Sequence, residues 1–278
     1  MSLGDADIRA IAALMRDVAC AEIMPRFGRI GPADLRTKAG PLDPVTIADE
    51  AAERTLIAGL ERLFPGAAII GEEAVSADPA LIDRVREPKP VFAIDPIDGT
   101  QNYAAGLPLF GVMIALIENG TTTAGLIHDP LRDDTVVARA GGGAFLLLRD
   151  GATTRLHVAD PVPLDRTIAS VSWQYMSEPE RSRVLRNLAR LGQIPNLRCA
   201  AATYRAIAMG HIHATLSRRT LPWDHAAGAL IVAEAGGHVR KPDGEPWRPA
   251  ELDGGILAAQ DEESWHLLRE ALFDSEAA

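Results

Sequence analysis

The residues of this sequence that could do chemistry are acidic side chains placed where an apolar run ends or a helix begins. Six carboxylates share this placement: Asp49, Glu72, Glu73, Asp95, Asp98 and Asp224. Carboxylates beside buried strands are costly unless they are paired or bind a cation. Hard oxygen ligands favour Mg²⁺ or Mn²⁺ over zinc. A single carboxylate of this kind is usually a cap, but six together predict a metal site.

The hexamer Asp95-Pro96-Ile97-Asp98-Gly99-Thr100 adds a backbone geometry that suits a phosphate group. Pro96 stiffens the turn, and Gly99 lets the backbone approach a ligand closely. A short helix that begins near Gly99 would direct free N–H groups at an anion beside the carboxylates. Taken alone, the hexamer is also compatible with a loop that contains an Asx turn.

The apolar periodicity predicts two helices at the start of the chain. Apolar residues recur at helical spacing from Ile8 to Ile23, and Thr46 is a candidate N-cap for a helix that runs to about Leu63. Short apolar runs then predict strands, at Ala67–Ile70, Val91–Ile94, Phe110–Ile117, Thr123–Ile127, Thr135–Ala138 and Ala144–Leu148. Two helices followed by a strand-rich stretch predict an α+β half with an antiparallel sheet.

From about residue 150 the predicted strands and helices alternate, which favours an α/β half. The predicted strands lie near Ile168–Ser172, Ala214–Leu216 and Gly255–Ala258. The predicted helices are Glu178–Leu191, Ala200–Met209, His225–Ala235 and Glu263–Phe273. We therefore expect two domains: residues 1–150, which carry most of the candidate metal ligands, and residues 151–278, which supply Asp224 and the side of the pocket that receives the leaving group.

Composition and charge exclude several classes of protein. The 278 residues are 47% hydrophobic and 24% charged, the profile of an ordinary globular protein. No apolar run approaches the roughly 18 to 20 residues needed to span a bilayer, and no secretory signal is recognised. The two cysteines, Cys20 and Cys199, cannot make a disulfide framework, and their spacing matches no zinc site. A reducing compartment fits this cysteine content, so a cytoplasmic location is expected. The net charge of −10 argues against a nucleic-acid partner.

Four blocks of this sequence resemble the signatures of the inositol monophosphatase family. In chain order they are Asp43-Pro44-Val45-Thr46-Ile47-Ala48-Asp49, Gly71-Glu72-Glu73, the hexamer that begins at Asp95, and Trp223-Asp224-His225-Ala226-Ala227-Gly228. Gly141-Gly142-Gly143-Ala144-Phe145 and Glu234-Ala235-Gly236-Gly237 fit the family as well. The blocks follow the family's order between residues 38 and 237, so the resemblance covers most of the chain.

The resemblance implies a layered αβαβα fold of the sugar-phosphatase type and a Mg²⁺-dependent hydrolase of small phosphate monoesters. It places two or three Mg²⁺ ions, with Mn²⁺ as an alternative, on a set of five ligands: Glu72, Asp95, Asp98, Asp224 and the carbonyl oxygen of Ile97. It implies that Thr100 and Asp49 orient and deprotonate the attacking water, with Glu73 close by. The amides of Gly99 and Thr100 would hold the phosphate. A homodimer is also expected.

The sequence departs from the inositol-hydrolysing members of the family on the side of the leaving group. Those members carry a Glu seven residues before the last metal-binding Asp, and this chain has Ser217 there, followed by Arg218 and Arg219. The arginines could meet a second anionic group on the substrate, or they could lie on a solvated strand edge. Cys199 and Ala200 fall near the start of the matched substrate-side helix and are candidate contacts to the leaving group.

Several activities stay open alongside inositol phosphate hydrolysis. Thr100-Gln101-Asn102-Tyr103 and Gly106-Leu107-Pro108-Leu109-Phe110-Gly111 resemble histidinol-phosphate phosphatases of the same superfamily. Relatives that act on 3′-phosphoadenosine 5′-phosphate or fructose bisphosphate provide further alternatives. A non-enzymatic role in binding a regulatory protein partner is the remaining one. The sequence retains every implied metal ligand and the Thr100–Asp49 pair, which favours an active phosphatase.

Overall fold

The computed structural model describes residues 3–38 and 44–274, so Asp43 of the first signature block lies outside the described residues. The helices are α1 Asp5–Val18, α2 Ile47–Leu63, α3 Glu72–Ala77, α4 Thr100–Ala104, α5 Glu180–Asn187, α6 Ala200–Ala208, α7 Pro222–Glu234 and α8 Glu262–Phe273. A π-helical turn, Ala19–Ile23, continues α1. Together these two elements confirm the first predicted helix.

The starts of α2 and α7 determine where two candidate site residues lie. At α2 the Thr46 hydroxyl accepts the N–H groups of Ala48 and Asp49, and the Asp49 carboxylate accepts the N–H of Thr46, which confirms the predicted cap. Helix α7 begins at Pro222, three residues earlier than predicted, because proline is tolerated in the first turn of a helix. Asp224 therefore belongs to the first turn of α7 instead of preceding the helix.

The larger sheet has seven strands. A short hairpin, β1 Leu35–Thr37 and β2 Pro44–Thr46, precedes it. The strands of the sheet lie in chain order: β3 Ala68–Gly71, β4 Val91–Asp98, β5 Gly111–Glu118, β6 Thr121–Asp129, β7 Asp134–Arg139, β8 Gly143–Leu148 and β9 Thr153–Arg155. All neighbours are antiparallel except β3 and β4, which are parallel. The sequence predicted an antiparallel sheet and missed this one parallel pair.

The smaller sheet is mixed. Its strands are β10 Ala169–Ser172, β11 Ala214–Ser217, β12 His238–Arg240 and β13 Ile256–Ala259, in the order β10-β11-β13-β12. Strands β10 and β11 are parallel, whereas β13 runs antiparallel to both of its neighbours. Strand β9 still pairs with the larger sheet beyond residue 150, and the division into two domains at that residue stays a prediction.

The helices and sheets form five layers. Helices α1 and α2 cover one face of the seven-stranded sheet. Helices α6 and α7 fill the space between its other face and the four-stranded sheet, and α5 and α8 cover the outer face of that second sheet. The approach of α7 to β6 is so close that a Cβ on Gly125 would lie 2.7 Å from the carbonyl oxygen of Ala227. The arrangement confirms the αβαβα fold class. Among the described residues, no helix has both the length and the apolar character that a bilayer crossing needs.

Candidate active site

The parallel pairing of β3 and β4 brings two of the candidate ligands together. Gly71 at the end of β3 pairs with Ile94 of β4, so Glu72 and Asp95, the next residues, emerge side by side. Asp224 reaches the same place from the first turn of α7. Carboxylate oxygens of these three residues all lie within 4.8 Å of one another. The structure thus assembles three carboxylates that are distant in the sequence.

Burial makes this cluster unfavourable without a cation. Asp95 is 1% exposed, and burial, followed by the charge of Glu72, raises its pKa well above the ordinary value. The pKa of Asp224 is raised for the same reasons, with a further contribution from Asp98. Three oxygen donors with no sulfur or imidazole among them suit Mg²⁺ or Mn²⁺. The residues present therefore fit the divalent metal that the sequence predicts.

Lys38 is a residue of the site that the sequence analysis missed. Its Nζ lies 2.7 Å from Oε1 of Glu72 and 2.6 Å from Oε1 of Glu73, and its side chain is 9% exposed. Burial alone would lower the pKa of this lysine, but the two glutamates raise it overall, so the lysine stays charged. No pattern of spacing in the sequence points to this contact.

Glu73 lies beside the cluster but does not line the cavity that the cluster opens into. Its carboxylate is paired with Lys38, while burial and the charge of Glu72 raise its pKa to about 8. The N–H groups of Glu73 and Ala74 donate to the carboxylate of Glu53, each over 2.8 Å. Glu53 was also missed, although its i,i+4 spacing from Asp49 places both on one face of α2.

Asp98 does not join the group of three within 4.8 Å. Its Oδ2 accepts a hydrogen bond from Sγ of Cys199 at 2.9 Å and one from the N–H of Ala201 at 2.5 Å. Burial raises the pKa of Asp98, and these hydrogen bonds oppose that rise. The carboxylate therefore joins the end of β4 to the first turn of α6 and still lines the cavity.

Thr100 and Asp49 are in direct contact, as the sequence analysis expected. Oγ1 of Thr100 lies 3.1 Å from Oδ1 of Asp49 and 2.9 Å from the carbonyl oxygen of Ile97. The other oxygen of Asp49 accepts the N–H of Thr46 at 2.8 Å and its hydroxyl at 2.5 Å. Burial raises the pKa of Asp49 to about 6, which is suitable for a group that exchanges a proton near neutral pH.

Gly99 has the conformation that the hexamer requires. Its φ is +89°, in the left-handed region, and a Cβ there would lie 2.8 Å from the carbonyl oxygen of Leu109. Only glycine accommodates both conditions. Helix α4 begins at the next residue, as predicted, and the binding of phosphate by these amides stays a prediction.

The carboxylates open into a cavity of approximately 720 Å³. Its lining includes most of the predicted site residues: Glu72, Asp95, Ile97, Asp98, Gly99, Thr100, Cys199, Ala200, Ser217 and Asp224. Arg219, Arg198, Trp173 and Tyr175 line it as well, and of these Arg198 is a residue that the sequence analysis missed. The cavity thus combines acidic, cationic and aromatic walls.

Arg218 is the predicted substrate-side residue that the structure places elsewhere. Its Nε lies 2.6 Å from Oε1 of Glu180, an Nη lies 2.5 Å from the carbonyl oxygen of Gly254, and its guanidinium lies over the ring of Phe273. The side chain does not line the cavity. The prediction that Arg218 faces the leaving group is therefore wrong. Its partners Glu180 and Phe273 belong to α5 and α8, which cover the outer face of the smaller sheet.

This chain is similar to known proteins in both sequence and structure. Residues 6–275 match the model of the Inositol monophosphatase family. An inositol-1-monophosphatase of Bacillus subtilis (strain 168) is 32% identical over 216 residues, which are 77% of this chain and 78% of that protein. A Thermotoga maritima protein named fructose-1,6-bisphosphatase/inositol-1-monophosphatase is 32% identical over 217 residues, 78% of each chain. The crystal structure of the extragenic suppressor protein suhB from Bartonella henselae aligns with a TM-score of 0.82 and 27% identity, over 99% of this chain and 100% of that one.

Proposed function

Because this chain belongs to the inositol monophosphatase family, we propose that it hydrolyses a small phosphate monoester with Mg²⁺ held by its acidic cluster. It is a phosphoric monoester hydrolase, as its relatives are. The observation that carries the proposal is the convergence of Glu72, Asp95 and Asp224 within 4.8 Å in a cavity that Thr100 also lines.

The metal would be held by the three clustered carboxylates, with Asp98 and the carbonyl oxygen of Ile97 as further ligands in line with the family pattern. When bound, Mg²⁺ supplies positive charge that stabilises the phosphoryl group and makes a water molecule more acidic. We propose two or three ions, with Mn²⁺ as a substitute. Lys38 pairs with Glu72 and Glu73, so it balances part of the negative charge at the edge of the cluster.

The residues that move the proton are Thr100 and Asp49. Oγ1 of Thr100 has one hydrogen and two acceptors within reach, Oδ1 of Asp49 at 3.1 Å and the carbonyl oxygen of Ile97 at 2.9 Å. Because that carbonyl is a proposed metal ligand, we propose that the hydrogen goes to Asp49, which leaves lone pairs on Oγ1 to accept a hydrogen from the attacking water. Thr46 fixes the other oxygen of Asp49, so Oδ1 keeps its direction. A proton can then pass from water through the hydroxyl to the carboxylate. We propose that Glu73 orients Lys38 and takes no part in this transfer.

The phosphate and its leaving group would occupy the rest of the cavity. The amides of Gly99 and Thr100 are the proposed phosphate donors, since the left-handed Gly99 allows close approach. Cys199, Ala200 and Ser217 line the cavity and are proposed to face the leaving group. Ser217 is 6% exposed, and its hydroxyl donates to the carbonyl oxygen of Arg219 over 2.9 Å. A homodimer and a cytoplasmic location stay predictions.

A phosphate-release assay tests this function. The purified protein is given inositol 1-phosphate, histidinol phosphate, fructose 1,6-bisphosphate and 3′-phosphoadenosine 5′-phosphate, each with EDTA, Mg²⁺ or Mn²⁺. We expect metal-dependent release from at least one of them and none from Asp224→Asn, a variant of nearly identical shape that lacks one carboxylate charge. Failure to release phosphate from any of the four with either metal would refute the proposal.

A further inference from the structure

The cavity wall contains two arginines that make no close ion pair with a described carboxylate, although the charge of Arg219 lowers the pKa of Asp224. Arg198 and Arg219 both line the cavity, and within residues 3–38 and 44–274 neither guanidinium has a carboxylate oxygen within 4 Å. Arg205 and Arg218, in the same part of the chain, are paired with Asp134 and Glu180. Arginines in a cavity that lack such partners keep their N–H donors available for an anionic ligand.

Arg219 is held in place although its side chain is exposed. Its guanidinium carbon lies 5.7 Å from the centroid of the Tyr175 ring, and stacking of this kind uses the face of the guanidinium while the N–H donors at its edge stay free. Its carbonyl oxygen accepts from Oγ of Ser217 and from Nε2 of His225, each over 2.9 Å. Because a carbonyl only accepts, His225 carries its proton on Nε2, and Nδ1 accepts from the Tyr204 hydroxyl at 2.8 Å.

Arg198 lies next in sequence to a residue that contacts the acidic side of the cavity. The next residue, Cys199, is the N-cap of α6 and donates to Asp98. The backbone N–H of Arg198 donates to Oδ1 of Asn196 over 3.2 Å, and Asn196 lines the cavity too. Arg198 is thus an exposed residue of a cavity-lining loop whose neighbouring residue, Cys199, is fixed against the site.

The cavity is larger than a phosphate group requires. Small-molecule sites usually measure about 300 to 1,000 Å³, and this cavity of approximately 720 Å³ lies in that range. The acidic cluster accounts for a metal and the phosphate that is cleaved. Apart from the charge that Arg219 contributes at Asp224, neither arginine is needed for these two ligands. Guanidinium groups match phosphate and carboxylate oxygens in a bidentate geometry.

We propose that the leaving group of the substrate carries a second anionic group, a phosphate or a carboxylate, and that Arg219 and Arg198 bind it. The proposal rests on the proposed function, since it deepens the substrate class of the same cavity. The second anion would occupy the part of the cavity that these arginines line together with Tyr175. Ser217, which also lines the cavity, holds the backbone of Arg219 through its hydroxyl.

Matched substrate pairs test this proposal. Fructose 1,6-bisphosphate is compared with fructose 1-phosphate, and 3-phosphoglycerate with glycerol 3-phosphate, so that the members of each pair differ by one phosphate or one carboxylate. In at least one pair, we expect wild type to have a higher kcat/KM for the member that carries the second anionic group. The pair that shows this preference identifies that group as a phosphate or a carboxylate. Arg219→Gln and Arg198→Gln should each reduce that preference by about 10- to 100-fold, the effect of losing a charged hydrogen bond.

Arg149→Gln is the control for net charge, because Arg149 is 79% exposed and does not line the cavity. This variant should have the wild-type kcat/KM for both members of each pair. The proposal is wrong if wild type shows no preference in either pair. It is also wrong if the arginine variants reduce kcat/KM equally for both members of a pair, because the arginines then act only by general electrostatic attraction.

Calorimetric titration separates this proposal from the proposed function. The Kd values of 3-phosphoglycerate, glycerol 3-phosphate and the two fructose phosphates are measured in Thr100→Ala, with and without Arg219→Gln. Tighter binding of the second-anion member that disappears with Arg219→Gln supports the subsite even if wild type releases no phosphate. Equal Kd values within both pairs overturn the subsite even if the phosphatase activity is present.

Discussion

The thiol of Cys199 donates a hydrogen bond to Oδ2 of Asp98, with the two atoms 2.9 Å apart. The same sulfur accepts the N–H of Ala202 at 3.3 Å, so it also caps α6. Asp98 ends β4 of the larger sheet, and Cys199 precedes the helix that packs between the two sheets. One side chain thus joins a candidate metal ligand to the substrate-side wall, 101 residues further along the chain.

Cys199 variants should separate the hydrogen bond from the volume of the side chain. Cys199→Ser keeps a donor to Asp98 and should keep the wild-type Mg²⁺ requirement within a few-fold. Cys199→Ala removes the donor and should raise the Mg²⁺ concentration for half-maximal activity about 10-fold, since a hydrogen bond to a charged group is worth about 1.5 to 3 kcal/mol. Equal Mg²⁺ requirements in the two variants would show that the thiol does not position Asp98.

Thr100→Ala should reduce turnover by about 10² or more, because the attacking water loses the hydroxyl that leads its proton to Asp49. The affinity for Mg²⁺ should change little, since the three clustered carboxylates are intact. Thr100→Ser retains the hydroxyl and should recover most of the turnover. A normal maximal rate with a large rise in the Mg²⁺ requirement would instead make Thr100 part of the metal site.

Asp95→Asn should abolish hydrolysis and stabilise the metal-free protein. The raised pKa of Asp95 means that the charged carboxylate destabilises the folded state at pH 7, because the unfolded chain ionises it at the ordinary value. The asparagine Oδ1 can still accept the N–H of Ile97, now at 3.0 Å. In EDTA the Tm should rise by about 2 to 4 °C, the shift for roughly 1 kcal/mol in a protein of this size.

The Tm of wild type and of Asp95→Asn is also measured with Mg²⁺ in place of EDTA. Wild type should gain thermal stability when Mg²⁺ is added, since a ligand that binds only the folded state stabilises it, and the variant should gain little. Asp165→Asn, at an exposed position of the chain, should behave as wild type in both buffers. A variant that is less stable than wild type in EDTA would mean that Asp95 is a structural cap.

His128 should make the protein less stable as the pH falls below about 6.5. Burial, followed by the charge of Arg16, lowers its folded pKa to about 4, so the unfolded chain takes up the proton first and stability falls between the two pKa values. The loss between pH 7 and pH 5 should be about 2 kcal/mol. His128→Gln can still bond to Thr135, the present partner at 3.0 Å, and urea titrations should show a smaller loss. An unchanged pH dependence would contradict the assignment.

The sequence by itself predicted the elements and the chemistry that depends on short stretches of chain. Apolar periodicity located α1, α2 and most strands, because each such pattern is a property of one element. Glu72 and Asp95 were recognised since both follow buried apolar runs. Thr46 was identified as a cap from its position before a helical pattern, and the resemblance supplied the five-layer fold. These features need no knowledge of which elements meet.

Tertiary structure decided everything that depends on contacts between distant segments. Arg218 and Arg219 are neighbours in the sequence, yet the first is paired with Glu180 and the second lines the cavity beside Tyr175. Lys38 reaches Glu72 across a gap of 34 residues. The direction of a side chain at a strand end is set by the partners that packing brings to it. Periodicity identifies the buried face of an element, but only the assembled layers determine which charges and donors face each other across the cavity.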